Sequence, residues 1–299
     1  MASIADISPA TAPRRRRGPV LHFIGRLFRE KPLGAICAII FVAFLLVGIF
    51  ADVLAPYAYN KISPLNRLKP PSLQFPCGTD NLGRDMLSRC IYGAQLSVII
   101  GFCAAGLATV ISIILGVVSG YLGGRFDLVL QRFVDAWMSF PDLIILIVVV
   151  SVVGPGMPQI IVTLGLLLGI AGSRIIRGAV VSVRENMYVH AAQSTGASTL
   201  RILWRHILPN VMAPVIVLFT TRVGTVILAE SGLSFLGLGV PPPAPTWGGL
   251  LSGSGRTFML QGPWLALAPG LCLTVVVYAT NMFGDALRDL LDPRMRGSR

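Results

Sequence analysis

The sequence predicts an all-α, polytopic membrane protein with six transmembrane helices and both termini in the cytoplasm. The chain is 54% hydrophobic and only 13% charged, and its mean hydropathy of +0.74 is too high for a soluble domain of this length. Six apolar runs approach the length of about 20 residues that crosses a bilayer as a helix. Basic residues accumulate on one side of these runs, as they do in cytoplasmic loops.

The six predicted spans follow one another with loops of very different length. They cover residues 36–53, 96–121, 137–153, 159–173, 211–228 and 264–283. The fourth is the shortest. Prolines and glycines punctuate the segments 55–92 and 240–262, which are predicted to lie outside.

The distribution of basic residues sets the predicted orientation and organisation. With the N-terminus inside, 18 of the 25 basic residues fall on the inner side, and Arg222 is the only one within a span. A basic cytoplasmic segment covers residues 1–32, and its arginines at 14–17 could attract anionic lipid. The first span and an external loop cover 33–95, a core covers 96–286 with a long inner loop at about 180–209, and a cytoplasmic tail covers 287–299.

Several function classes are excluded by missing motifs. The net charge of +12 is spread in clusters between apolar runs, so it does not indicate a nucleic-acid surface. The sequence has no phosphate-binding P-loop and no catalytic cluster, which predicts neither an ATPase nor another enzyme. The five cysteines lack metal-ligand spacing, so no metal site is expected. Cys77 and Cys90 share the predicted outer loop, where either a disulfide or two free thiols is possible.

The inner loop contains the most informative stretch, YVHAAQSTGASTLRILWRHILPN. Helical spacing with small side chains indicates a face that another protein can approach closely. That face consists of Tyr188, Ala191, Ala192, Thr195 and Gly196. A second short helix is predicted after Gly196, with an apolar stripe of Leu200, Leu203 and Ile207 and an end before Pro209. The alternative is an amphipathic helix lying on lipid headgroups.

This stretch resembles the cytoplasmic coupling loop of ABC-importer permeases, whose pattern is Glu-Ala-Ala, three residues, Gly, and a later Leu-Pro. Ala191, Ala192, Gly196, Leu208 and Pro209 fit that pattern. The resemblance implies that Tyr188 and these residues dock on an ATP-binding subunit. His190 stands where the family usually has Glu, and an imidazole offers at most a fractional positive charge near neutral pH.

Two further stretches resemble the dipeptide, oligopeptide and nickel branch of these permeases. Residues 77–97, CGTDNLGRDMLSRCIYGAQLS, match the signature that follows the first span. Its outer-loop residues Asp80, Gly83, Arg84 and Asp85 are predicted to form an ion-pair cluster around a turn, which would support the outer mouth. Residues 229–251, AESGLSFLGLGVPPPAPTWGGLL, match the end of the fifth span in the second permease of such systems.

Ionisable residues at membrane depth are expensive and are functional candidates by default. Arg222, Glu230 and Asp142 are such residues. Arg222 and Glu230 are eight positions apart in the sequence, which is roughly 12 Å along a helix, so they should not pair. They line a wet cavity or pair with a partner permease. By resemblance, the gate consists of Arg222, Glu230, Ser231, Gly232, Ser234 and Phe235.

The resemblance extends over residues 25–296 and implies a complete transport system. It implies a second permease, two ATP-binding subunits, an extracytoplasmic solute-binding protein and a location in the bacterial inner membrane. ATP and Mg²⁺ would bind to the partner subunits, and this chain would bind no cofactor. The expected substrate is a dipeptide or oligopeptide; nickel or another small solute is the alternative. An ion-gradient-driven secondary transporter is the alternative of another class.

Overall fold

The computed structural model describes residues 19–291, and it is built of helices. Within those residues no strand forms, and the only extended pairing is an isolated bridge between Thr79 and Asp85. The predicted all-α class is confirmed. Residues 1–18 of the predicted basic segment and residues 292–299 of the predicted tail lie outside the described residues.

The helices are numbered here in chain order. They are α1 (Pro19–Glu30), α2 (Pro32–Ile49), α3 (Ala51–Leu54), α4 (Met86–Leu122), α5 (Gly124–Met138), α6 (Asp142–Val153), α7 (Met157–Arg184), α8 (Met187–Ser194), α9 (Thr199–Ile202), α10 (Met212–Phe235), α11 (Trp247–Leu250), α12 (Arg256–Phe258) and α13 (Trp264–Leu291). Between α9 and α10 lie a π-helical turn, Leu203–Ile207, and a 3-10 turn, Leu208–Val211.

Five helical segments in the described chain are long and apolar enough to cross a membrane. They are α2, α4, α7, the stretch Thr199–Phe235 that ends in α10, and α13. A sixth is obtained if α5 and α6, which meet at 80°, count as one broken span. The structure therefore agrees with six predicted spans when the broken pair is included.

The third predicted span, residues 137–153, is wrong as a continuous helix. α5 ends at Met138, and α6 begins only at Asp142. Pro141 between them has no N–H to donate, and its ring disfavours helical dihedrals in the residue before it. With 12 residues, α6 is about 18 Å long, which is too short to cross the hydrocarbon core alone.

The limits of the second and fourth spans also differ from prediction. α4 begins at Met86 because the Asp85 carboxylate caps it, accepting a bond from the Ser88 N–H at 2.8 Å. Cys90 therefore lies inside α4 and not in the outer loop, and Cys77 and Cys90 are both free thiols. α7 has 28 residues and is not short. Two arginines of its more polar second half, Arg174 and Arg177, pair with carboxylates of α5.

Small residues bring α4 and α7 into close contact along most of their length. A Cβ atom on Gly169 would lie 3.2 Å from the Ala108 carbonyl oxygen, and one on Gly116 would lie 2.7 Å from the Ser173 carbonyl oxygen. Backbones approach this closely in membranes where no side chain intervenes. The contact nearer the C-terminus of α4 is also the one nearer the C-terminus of α7, so the two helices run parallel. They form the central pair of the bundle.

The two segments predicted to lie outside meet at one end of the bundle. The Trp264 Nε1–H donates to the Thr79 carbonyl oxygen at 3.1 Å, and the Trp247 Nε1–H donates to the Cys90 carbonyl oxygen at 3.0 Å. We call this end, formed by residues 55–85 and 236–263, the predicted outer end. α8 and the Asp127–Arg177 ion pair lie at the opposite end, the predicted inner end.

Candidate functional site

The first short helix of the predicted inner loop, α8, is followed by Gly196. At this position the backbone conformation, and not a lack of space, favours glycine. Gly196 has φ of +78°. Its N–H donates to the Gln193 carbonyl oxygen at 2.9 Å, and the Ala197 N–H donates to the Ala192 carbonyl oxygen at 3.1 Å. This pair of bonds is the Schellman motif that ends helices at a left-handed residue. A Cβ atom on Gly196 would meet nothing within 4 Å, so the site is open to a partner.

The predicted small-residue face of α8 is divided between its own chain and solvent. Tyr188, His190 and Ala191 are exposed. Ala192 is half-buried and packs against the core cluster that contains the fully buried Val189. Tyr188, His190 and Ala191 are therefore accessible from outside the chain, whereas Ala192 packs α8 onto the bundle.

The apolar stripe predicted for the second short helix is only partly correct. Ile207 is buried and Leu203 is half-buried, but Leu200 is exposed and Ile202 is buried in its place. The reason is the π-helical turn Leu203–Ile207, which changes the helical period within the stripe. At the end of the predicted motif, Leu208 is half-buried and Pro209 is exposed.

Sequence reasoning missed two exposed apolar groups at the predicted inner end, Met187 and Trp204, and assigned a third, Leu200, to the apolar stripe of the second short helix. Met187, Leu200 and Trp204 are 88%, 65% and 64% exposed. Leu200 and Trp204 are four positions apart in the sequence, a spacing that in a regular α-helix places two side chains on one face. An apolar pair at this spacing within an otherwise basic segment is the sequence feature from which these exposed groups could have been predicted. We refer to these three exposed apolar side chains, which lie on α8, on α9 and on the π-helical turn after it, as the docking surface.

Hydrogen bonds tie α8 to the spans. The Asn186 side chain, just before α8, donates to the Val183 carbonyl oxygen of α7 at 2.9 Å. The Gln193 Nε2 group donates to the Tyr121 hydroxyl of α4 at 3.4 Å. These two bonds link α8 and its first flanking residue to α7 and α4.

At the predicted outer end, Asp80 is the centre of a buried charge cluster. Its Oδ1 atom accepts from the N–H groups of Leu82 and Arg84 at 2.8 and 2.9 Å. Its Oδ2 atom accepts from Arg84 Nε at 2.7 Å and Arg89 Nη1 at 2.6 Å. The structure brings Asp80 and Arg84 together as predicted from sequence, and it adds Arg89, which sequence reasoning did not assign to the cluster.

Gly83 and Asp85 shape the same turn in different ways. Gly83 has φ of +72°, and a Cβ atom there would lie 1.8 Å from the Ser63 carbonyl oxygen. The turn therefore requires glycine both for its backbone angle and for space. Asp85 does not join the ion pairs; its Oδ2 atom caps α4 through Ser88.

Arg222 of α10 is 7% exposed and reaches into the α4–α7 pair. Its Nη1 group donates to Ser112 Oγ at 3.0 Å, and its Nη2 group donates to the Leu168 carbonyl oxygen. A Cβ atom on Gly172 would occupy the space of the guanidinium. Arg222 therefore joins α10 to α4 and α7 through two neutral acceptors and is buried among these helices.

Glu230, 1% exposed, lies in a hydroxyl cage near the end of α10. Its Oε1 atom accepts from Ser234 Oγ at 2.6 Å, and its Oε2 atom accepts from Ser231 Oγ at 3.4 Å. The backbone beyond α10 packs closely on this cage, since a Cβ atom on Gly248 would lie 2.1 Å from the Ser231 carbonyl oxygen. Gly232 and Phe235 are exposed instead.

The structure therefore divides the predicted gate residues into three groups. Glu230, Ser231 and Ser234 come together, Gly232 and Phe235 point elsewhere, and Arg222 contacts other helices. Asp142 is exposed at the start of α6, beside the break in the third span. In the described part of the chain, no group of three or more His, Cys, Asp or Glu side chains is placed to hold a metal ion.

Two family models match this chain. Residues 112–297 match the family described as "Binding-protein-dependent transport system inner membrane component". Residues 24–71 match the "N-terminal TM domain of oligopeptide transport permease C". The first match contains α8 and the docking surface, and the second contains the first span.

Curated relatives are similar over nearly the whole chain. The dipeptide transport system permease protein DppC of Alkalihalophilus pseudofirmus is 39% identical over 268 residues, which cover 90% of this chain and 88% of the relative. A putative peptide transport system permease of Brucella suis is 38% identical, with 99% of each chain covered. The glutathione transport system permease protein GsiD of Escherichia coli O157:H7 is 37% identical, with 99% and 97% covered.

Among solved structures, a chain of the MetNI methionine ABC transporter in inward-facing conformations has the same fold. Its TM-score is 0.58 at 16% identity, with 69% of this chain and 98% of that chain covered. This similarity concerns the fold alone. From the family match over more than half of the sequence and relatives of 37–39% identity, we conclude that the chain belongs to the binding-protein-dependent ABC-transporter permeases, multi-pass proteins of the bacterial inner membrane, and is of the DppC and OppC type.

Proposed function

We propose that this chain is one of two permease subunits of an ATP-driven importer of dipeptides or oligopeptides. Relatives named for dipeptide, peptide and glutathione transport support the peptide class. Their names differ in substrate, which is consistent with selectivity set mainly by a separate solute-binding protein. Nickel or another small solute is the alternative within the same branch.

The observation that carries the proposal is the docking surface at the predicted inner end. Met187, Leu200 and Trp204 are large, exposed apolar side chains that precede the predicted fifth span, residues 211–228. Exposed apolar clusters mark interaction sites, and tryptophan and methionine are enriched in interfaces. Tyr188 and Ala191 are also exposed, on the helix α8 itself. The occupant we propose is a separate ATP-binding subunit, which would also bind ATP and Mg²⁺.

The attachment of α8 suggests how ATP-driven motion would reach the transport path. α8 is fixed to α7 through Asn186 and to α4 through Gln193, and the turns after α9 lead directly into α10. Closure of two docked ATP-binding subunits would move these attachment points as rigid bodies. The helices of two permeases would then rock between inward-facing and outward-facing packings.

The predicted outer end offers a second surface, for delivery of substrate. Its loops expose large apolar side chains, including Leu65, Leu73 and Leu260. Asp80 and Gly83 hold the first loop in a defined shape. We propose that a solute-binding protein docks on these loops and that the Glu230 cage keeps the second loop in place. A role as a gate for Glu230, Ser231 and Ser234 is part of the same proposal.

The rival from another class is a secondary transporter. The docking surface argues against it, because transport driven by an ion gradient needs no ATP-binding subunit. An uptake assay distinguishes the two hypotheses. A secondary transporter would take up solute into sealed vesicles without ATP, whereas an ATP-driven importer would not.

Purification of the complex from its native membrane tests the proposal. The expected result is co-purification of a second permease and two ATP-binding subunits, together with ATP-dependent peptide uptake in proteoliposomes. Trp204→Asp should release the ATP-binding subunits while the permeases stay in the membrane. Leu267→Asn is the matched control, since Leu267 is equally exposed but lies on α13. Recovery of the chain without ATP-binding subunits, with uptake that needs no ATP, would overturn the proposal.

A further inference from the structure

The helix α5 turns its charged side towards its own chain. Asp127, Gln131 and Asp135 follow one another at intervals of four positions, which places them along one side of the helix. Asp127 Oδ1 accepts from Arg177 Nε of α7 at 2.6 Å, and Asp135 pairs with Arg174 of the same helix. The Gln131 Nε2 group donates to a serine hydroxyl of α4 at 3.2 Å. These contacts fix α5 to the central helix pair.

The opposite side of α5 is apolar and exposed. Phe126, Val129 and Phe133 follow one another at helical spacing, so they share a face, and they are 49%, 67% and 55% exposed. Arg125 and Arg132 are seven positions apart, are both exposed, and lie along one edge of this apolar face. Large apolar side chains that point away from the core of their own chain mark a surface that another molecule covers.

α5 crosses the direction of the spans. It meets α6 at 80°, and α6 packs against α7, to which residues 154–156 connect it directly. Asp127 and Asp135 are about 12 Å apart along α5, whereas their partners Arg177 and Arg174 are only about 4.5 Å apart along α7. α5 therefore lies close to the plane of the membrane, at the predicted inner end of the bundle.

We propose that α5 is an interfacial helix that binds anionic phospholipid in the inner leaflet of the membrane. Its apolar face enters the boundary between headgroups and acyl chains, as amphipathic helices do, and Arg125 and Arg132 reach lipid phosphates. The depth of α5 fits this partner, because Arg174 and Arg177, which hold it, directly follow the predicted fourth span, residues 159–173.

The charges around α5 favour an anionic surface over a neutral one. The carboxylates of Asp127 and Asp135 are both paired with arginines of α7. Arg132 also pairs with Asp135, at 3.2 Å, but its side chain stays 76% exposed, and Arg125 is exposed as well. The two arginines of α5 and the two of α7 thus outnumber the two carboxylates, which leaves an excess of positive charge beside the apolar face. Such charge attracts anionic lipid.

The same placement accounts for the short length of α6. Its 12 residues cover about 18 Å, which leaves roughly 12 Å of a hydrocarbon core of about 30 Å uncrossed. The apolar face of an interfacial helix is buried by roughly 5–10 Å, so α5 fills most of the remaining depth. The break at Pro141 is then the point at which the chain turns from the membrane surface into the span.

The accessibility of spin labels on α5 tests this placement. The full-length protein, in the complex in which it is purified, is labelled at Val129→Cys or Phe133→Cys in a Cys103→Ser background, which removes the exposed native thiol. It is placed in nanodiscs of phosphatidylglycerol and phosphatidylcholine. We expect both labels to collide more with O₂, which partitions into lipid, than with a water-soluble nickel chelate. Leu65→Cys, in an outer loop, is the reference for exposure to water. Low collision rates with both reagents would indicate a covering protein, and a preference for the chelate would indicate water; either result would overturn the proposal.

A comparison of two lipids tests the role of the arginines. Phosphatidylglycerol added to the protein in detergent should raise its thermal midpoint more than phosphatidylcholine does, and the double variant Arg125→Gln/Arg132→Gln should lose this difference. Arg201→Gln is the matched control, because Arg201 is also exposed but lies on α9. Equal effects of the two lipids on the wild-type protein, or a difference that persists in the double variant, would contradict the proposal. Neither measurement depends on ATP or transport, so failure here would leave the proposed function untouched.

Discussion

Replacement of Gly196 tests whether this residue contributes its backbone conformation or its lack of a side chain to docking. Its φ of +78° costs an ordinary L-residue roughly 1–2 kcal/mol, which is about a 5- to 30-fold change in an equilibrium. Because a Cβ atom there would meet nothing in its own chain, no steric cost inside this subunit is added. Gly196→Ala should therefore weaken binding of the ATP-binding subunits by up to this factor.

Asparagine distinguishes the two contributions, because it is larger than alanine but tolerates the left-handed conformation better. If Gly196 acts through the Schellman motif, Gly196→Asn should lose less binding and less transport-coupled ATP hydrolysis than Gly196→Ala. The assay is titration of purified ATP-binding subunits onto permeases in nanodiscs, followed by ATPase measurement. Gly178→Ala on α7 is the control, since its Cβ atom also meets nothing and its backbone is helical. An asparagine variant weaker than the alanine variant would refute the backbone explanation and indicate that a partner contacts position 196.

Three further predictions concern the buried polar groups and the outer turn. Asp80→Ala leaves the buried Arg89 unpaired, so we expect the free energy of unfolding to fall by about 3–5 kcal/mol and the thermal midpoint in detergent to fall with it. Asp142→Asn, which alters an exposed carboxylate, is the control. A midpoint for Asp80→Ala no lower than that of the control would contradict the prediction. Gly83→Ala should speed protease cleavage within residues 55–85, because its Cβ atom would lie 1.8 Å from the Ser63 carbonyl oxygen; cleavage at the wild-type rate would count against the tight turn. Arg222→Gln should have a higher thermal midpoint than Arg222→Lys, because both described acceptors are neutral and the glutamine amide removes a buried charge. The opposite order would indicate that an anionic group of another subunit contacts Arg222.

Hydropathy and the distribution of charge are sufficient to predict much of the helical architecture of this chain. Apolar runs of membrane length located the spans, because helices in lipid must satisfy their backbone groups internally. The Ala-Ala and Gly of the inner loop located α8 and its end at Gly196. Composition could not locate the start of α4, where the Asp85 carboxylate caps the helix through two hydrogen bonds from Ser88, or the break before α6, which Pro141 produces.

Contacts between segments distant in sequence were decided only by the tertiary structure. The sequence by itself determined the membrane class, the number of apolar runs and the inner-loop motif, since each depends on residues close together in the chain. It could not show that Arg222 binds Ser112 and Leu168, or that Trp247 donates to the Cys90 carbonyl oxygen, because helix packing sets those pairs. It also could not decide which side of α8 faces a partner, because Val189 and Ala192 are covered by helices from elsewhere in the chain.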